Sequence, residues 1–256
     1  MAKSATLPFA TLGRESMLLA LTWAAGSVDA ISYLGLDHVF TAMMTGNTVL
    51  LGLALAQGQV LAALRSIIAL MGFTIGVFIG AIIVERDSQP VEWPEAVTGA
   101  LVVEATILGL FSVISYLIGE GRSAGVVYFL ITLLAFAMGI QSAAVRRLGV
   151  PGIATTYITG TLTSLMIDLL GWLRSIAAPI VIQKPAATDS IARTPSIPWD
   201  QRVGLLANVV IFYCFGAFVG GILERKSSSL ATLAPMGALL LVVANALVRQ
   251  RRRRRG

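Results

Sequence analysis

Charge is what this sequence has least of. Only 12% of its 256 residues are Asp, Glu, Lys or Arg, 56% are hydrophobic, and the mean hydropathy is +0.83. A chain with so little polar surface cannot cover a water-soluble globule, so lipid is its expected solvent. Histidine and cysteine are scarcer still: His38 and Cys214 each stand alone. That excludes an internal disulfide and any His/Cys cluster with metal-ligand spacing. Among Phe212, Tyr213 and Phe215, Cys214 is expected to pack as a small hydrophobe. There is no P-loop, no Gly-x-Gly-x-x-Gly after a strand and no nucleophile elbow. No cofactor is expected, and an intramembrane enzyme is the least favoured functional class.

The charge that is present lies mainly at one end. The formal net charge is +6, and Arg249 with Arg251 to Arg255 accounts for it, leaving the rest balanced. An arginine run directly after an apolar segment reads as a cytoplasmic stop held by anionic lipid headgroups. No second basic or aromatic patch accompanies it, so nucleic acid is not an expected partner.

Eight apolar segments fall at about 15–36, 40–56, 60–84, 95–118, 124–145, 153–173, 202–223 and 230–248. The first follows Lys3 and Arg14 and imitates a secretory signal, but it is too long and contains Asp29, so it is expected to be a retained span. Most segments meet the roughly 20 residues needed to cross about 30 Å of hydrocarbon. The second does not. Its 17 residues reach only about 25 Å as helix, and Thr45, Gly46, Asn47 and Thr48 interrupt its middle, so it is expected to be short, broken or re-entrant.

The same polar phrase recurs. Met44-Thr45-Gly46-Asn47-Thr48 has its counterpart in Ile158-Thr159-Gly160-Thr161-Leu162, and an offset of 114 lays Leu34–Leu53 over Leu148–Ile167 without a gap. Ala25-Gly26 falls over Met138-Gly139 after a one-residue adjustment. Gly76, Phe78 and Gly80 fall over Gly216, Phe218 and Gly220, and both stretches end in Glu-Arg. The order is kept throughout, so the chain reads as two tandem units of four segments, at about 15–118 and 124–248. A Pro-rich inserted loop at 174–201 and a basic tail at 249–256 complete one membrane domain.

Two topologies fit. If all eight segments cross, the units are parallel and Arg86, Arg146, Arg147, Arg225 and Lys226 lie outside. If segments two and six are re-entrant, six spans remain, the units are inverted, and Arg65, Arg122, Arg225 and Lys226 lie outside. Both place the two termini in the cytoplasm.

Buried polar groups in lipid need a reason, because a charge at mid-bilayer costs about 2.5–3.5 kcal/mol on insertion scales. Asp29 lies mid-segment on a face with Gly26, Ser32 and Tyr33, and Gln141 and Ser142 stand at its equivalent place. Asp168 follows Thr161 and Ser164 on one face of segment six; Glu104 is central in segment four and has no repeated partner. In the duplicated phrase, Gly46 and Gly160 permit a helix break, while the Thr hydroxyls and Asn47 can satisfy freed carbonyls or meet a ligand. The substrate-binding set expected is Asp29, Thr45, Gly46, Asn47, Gln141, Thr159, Gly160, Thr161 and Asp168. Small and hydroxylated residues also serve plain helix packing, and that is the expected role of Gly72, Gly76, Gly80, Gly216 and Gly220, with homo-oligomerisation a lesser use.

The runs Leu21-Thr22-Trp23-Ala24-Ala25-Gly26-Ser27-Val28-Asp29-Ala30 and Met43-Met44-Thr45-Gly46-Asn47-Thr48-Val49-Leu50-Leu51-Gly52 resemble the opening of the YoaK-like family of bacterial polytopic membrane proteins. Ala137-Met138-Gly139-Ile140-Gln141-Ser142-Ala143 is similar to that family's second signature, as is Tyr157-Ile158-Thr159-Gly160-Thr161-Leu162. The resemblance implies a bacterial cytoplasmic membrane and draws attention to Asp29, Asn47, Gln141 and Thr159; it implies no activity. The expected protein is an all-α integral membrane protein of six to eight transmembrane helices. It binds a small solute or ion between its units and carries it by rocking, or else is a membrane interaction or scaffold protein whose polar phrases lock helices together.

Overall fold

The computed structural model describes residues 12–87, 91–119, 121–150, 156, 158–177, 199–228 and 230–254. Eight helices follow in order: α1 (Arg14–Gly35), α2 (Met44–Ala56), α3 (Val60–Glu85), α4 (Glu95–Ile118), α5 (Ala124–Leu148), α6 (Ile158–Ala177), α7 (Trp199–Lys226) and α8 (Leu233–Arg253). Among the described residues, six are long and apolar enough to cross a membrane: α1, α3, α4, α5, α7 and α8. This is an all-helical integral membrane protein. Most of the inserted loop lies outside the described residues, although α6 runs on to Ala177 and α7 starts at Trp199, so helix takes both edges of the expected loop.

The centre of the bundle is made by α1, α4, α5 and α8, whose Leu21, Leu101, Leu130, Leu134, Met138 and Leu239 are wholly buried. Helix α7 packs along α1, α3 along α5, α2 on α3 and α6 on α7. Lipid takes the place of water outside, where Phe78, Met71, Phe215, Phe218, Leu117 and Leu241 are exposed. Cys214 belongs to this outer surface. The expectation of a packed cysteine fails because its helix presents that face outward.

Lipid tails are as apolar as leucine, so helices here are held by close van der Waals contact, which small residues permit. A Cβ on Gly26 would collide with the carbonyl oxygen of Tyr213, one on Gly216 with that of Trp23, and one on Gly220 with Ser27. The α3–α5 contact is built alike: Gly76 lies against the carbonyl of Phe136, Gly139 against that of Phe73, and Gly80 against Ile140. In both pairs, contacts four residues apart on one helix advance four on the other in the same direction, so the pairs are parallel. The glycines expected to be packing devices are that.

End contacts fix the directions. Arg14 donates to the carbonyl of Leu148, Arg147 donates to the carbonyl of Asp87 at 2.7 Å, and Arg254 pairs with Glu95 at 2.5 Å. At the other end, Arg65 pairs with Asp37 at 3.2 Å, and Arg122 reaches Gly35 and Ser228, each at 3.5 Å. The six long helices therefore alternate in direction, and α1 starts at the end where α8 finishes.

Candidate functional site

The chain leaves α1 with the Leu36 N–H bonded to Ser32 and then turns sharply through Asp37 and His38, both in the left-handed region at φ 58° and 64°. These residue types tolerate that conformation better than most non-glycine residues. Tyr33 stacks on Phe40 and meets His38 edge-on, and the chain turns back into the bundle. Residues 41–43 arrive beside Asp29, six residues and about 9 Å before the end of α1.

Met43 at the N-cap of α2 supplies no side-chain bond to the helix, and the backbone N–H groups of the three residues that lead into α2 are held from α1 by Asp29. Its Oδ1 accepts the N–H groups of Thr41 at 3.0 Å, Ala42 at 2.7 Å and Met43 at 3.3 Å. Its Oδ2 accepts the hydroxyl of Tyr213 on α7. A carboxylate there also faces the positive end of the α2 dipole. Asn47 closes the loop from the other side, its Nδ2 donating to the Phe40 carbonyl at 2.6 Å and its Oδ1 accepting the Phe40 N–H at 3.0 Å. Thr41 donates to Ser32 at 3.2 Å. Asp29 is 3% exposed, and Ser32, Thr41 and Asn47 are sealed.

From this buried start, the 13 residues of α2 run about 20 Å back to the end it came from, where Arg65 of α3 meets Asp37. A cavity of about 290 Å³ opens there beside α2, with Asp37, His38, Leu53, Gln57 and Arg65 in its lining. Helix α6 is placed similarly at the opposite end. Ser142, six residues before the end of α5, shares a 2.9 Å hydrogen bond with Thr156, just ahead of α6. Further along α6, Asp168 pairs with Arg202 of α7 at 2.7 Å.

The expected site residues thus divide. Asp29 and Asn47 are brought together through residues 40–43. Gly46 has no room for a Cβ, which would lie 2.9 Å from both the Phe40 ring and Met43 Cε. Gln141 is sealed and donates to the Leu21 carbonyl at 3.2 Å, bracing α5 on α1. Thr161 is buried, Gly160 is half-buried, and Thr45 and Thr159 are exposed. Asp168 belongs to its own ion pair and not to the Asp29 cluster. Sequence reasoning missed Tyr213, Thr41 and Arg202 as partners. Thr41 carried one signal, its match to Thr155 across the repeat; Tyr213 and Arg202 carried none, since each partner is far away along the chain.

Six alternating apolar helices, a small-residue seam and a sealed polar start to a helix too short to cross define a polytopic α-helical membrane protein. The chain matches, over residues 17–246, the family described as "Protein of unknown function (DUF1275)", and it belongs to that family. It is similar to the UPF0700 transmembrane protein YoaK of Bacillus subtilis (strain 168), at 39% identity over 211 residues, covering 82% of this chain and 84% of that relative. No solved structure matches it.

Proposed function

We propose that the protein carries a small polar solute or ion across the bacterial cytoplasmic membrane and is not an enzyme. Two internally duplicated, inverted units move against each other in this reading, and the buried start of α2 acts as a gate. The observation that carries it is the Asp29 cluster: a carboxylate of the first unit holds a re-entrant helix end together with Tyr213 of the second. Half-helix ends buried at the interface of inverted units are where repeat-built transporters bind solutes. In the conformation described, protein donors hold the Asp29 carboxylate and the gate is closed.

Duplication is supported by correspondence of contacts. Gly26 against Tyr213 repeats as Gly139 against Phe73, and Gly216 against Trp23 repeats as Gly76 against Phe136. The six-span arrangement also sorts charge. Arg14, Arg86, Arg146, Arg147, Arg202, Arg249 and Arg251 to Arg254 fall at one end, against Arg65, Arg122, Arg225 and Lys226 at the other. By the positive-inside rule the first end is cytoplasmic, with both termini and with arginines facing anionic headgroups.

The saturation of Asp29 and Asn47 by protein partners equally favours the scaffold reading, in which the cluster only locks helices. A thermal-shift screen of the purified protein against ions, organic acids, amino acids and sugars, followed by uptake of any stabilising solute into proteoliposomes, separates the two. Transport requires a solute that raises the melting temperature and enters faster than into empty vesicles, with uptake reduced in Asp29→Asn. No stabilising solute and no uptake above empty vesicles leaves the scaffold.

A further inference from the structure

Glu104 is a buried ionisable group that the Asp29 cluster does not use. It lies in the middle of α4, wholly sealed, and neither carboxyl oxygen has a hydrogen-bond partner among the described residues. Its surroundings are apolar: Leu101, Ala105 and Leu108 on its own helix belong to the central core with Leu239 and Val242 of α8. The antiparallel α4–α8 contact is tied at one end by Gln250 donating to Thr98 at 2.8 Å and at the other by Ser112 with Thr232 at 2.6 Å. Glu104 and Val242 fall near the middle between these ties, about 9–15 Å of helix from either.

The charged groups on the helices packed against α4 lie toward the helix ends. On α3 these are Arg65, paired with Asp37, and Glu85; on α5, Arg146 and Arg147; on α8, Arg249 and Arg251 to Arg253. Tyr128, near the start of α5, Tyr116, exposed on the outer face of α4, and Glu95, paired with Arg254 at the start of α4, are the other titratable side chains of these helices. An ionised carboxylate without a counter-charge is untenable in such a place, whereas the neutral acid is tolerated. Packing does not demand an acid there. Gly99-Ala100-Leu101 aligns with Gly237-Ala238-Leu239, which places Val242 at the position equivalent to Glu104, equally sealed and apolar. A carboxyl is present where a valine serves the same volume.

We propose that Glu104 is an intramembrane proton-binding site, a neutral carboxylic acid that gives up its proton to water and takes up another when the α4–α8 contact opens. Its use as the coupling ion rests on the transport reading above; the proton site itself does not.

The test uses the full-length protein in lipid vesicles. Infrared spectra at neutral pH are expected to contain the carbonyl stretch of an un-ionised, weakly hydrogen-bonded carboxylic acid, absent from Glu104→Gln and displaced after transfer to heavy water. Dicyclohexylcarbodiimide, which attacks protonated carboxyls in apolar surroundings, is expected to leave an adduct on Glu104 that mass spectrometry localises. Labelling is read on the wild-type protein, so it holds even where Glu104→Gln misfolds. No band distinguishing the two proteins, together with no adduct, overturns the proposal. A band that resists deuterium over hours overturns it too, because a proton that never leaves is structural. Neither readout needs a solute, so failure of transport and failure of the proton site are separable.

Discussion

Replacing Asp29 by alanine tests the polar cluster most severely, because one truncation strands four donors. The N–H groups of Thr41, Ala42 and Met43 and the hydroxyl of Tyr213 all end on its two oxygens, in a site only 3% exposed. A buried donor left without an acceptor costs about 1–3 kcal/mol. Partial collapse and water entry reduce the sum, and loss of one partner of a buried charged network is usually about 3–5 kcal/mol. That loss corresponds to roughly 6–20 °C in melting temperature for a domain of this size. Asp29→Asn keeps a carbonyl oxygen for the N–H groups of residues 41–43 and an amide that Tyr213 can accept from, so it should lose only the charge-assisted part, about 1–2 kcal/mol. Thermal unfolding in one detergent reads both values, and thiol labelling of Ala42→Cys, in a chain whose exposed Cys214 is replaced by alanine, reads whether the start of α2 has come loose. A melting temperature for Asp29→Ala within 2 °C of wild type (a margin of about 1 kcal/mol), with Ala42→Cys still protected, would refute the claim that Asp29 anchors the entry to α2.

Two further sets of substitutions probe other parts of the bundle. Gly76→Ala and Gly216→Ala force a Cβ into the carbonyls of Phe136 and Trp23 and should each cost about 1–3 kcal/mol, whereas Gly99→Ala meets nothing within 4 Å and should gain about 0.5–1 kcal/mol; detergent melting curves check the contrast. Arg202→Met leaves Asp168 buried without its partner at 2.7 Å and should destabilise by about 3–5 kcal/mol, while Asp168→Asn in the same chain should recover most of it, as a double-mutant cycle would measure.

Much of the fold was legible because a lipid solvent imposes long apolar runs, and each of the eight segments became one helix. The weakness of the second was legible too: α2 begins at Met44, where the polar phrase starts. Glycines at fourfold spacing announced the close contacts but not which helices would make them. The polar residues were harder to place. Spacing on one helix put Asp29, Ser32 and Gly26 on a face, yet nothing local could say that the face would meet Tyr213, 184 residues away. Thr45 and Thr159 were grouped with Asn47 and Thr161 by motif, but residues two apart on a helix point to different sides. The structure accordingly exposes the first pair and buries the second. Cys214 misled for the same reason, since it shares the lipid-facing surface with Phe212 and Phe215 while Tyr213 between them turns inward to Asp29.

Gating by the start of α2 can be measured by locking it. Ser32 and Thr41 lie 3.2 Å apart through their hydroxyls, across the joint between α1 and the re-entrant loop. Ser32→Cys with Thr41→Cys, in a chain whose Cys214 is replaced by alanine, should form a disulfide on oxidation. Uptake into proteoliposomes of the solute selected by thermal shift should stop in the oxidised protein and return on reduction. Equal uptake in the oxidised and reduced states would contradict the account, because the helix end would then have no part in opening the path.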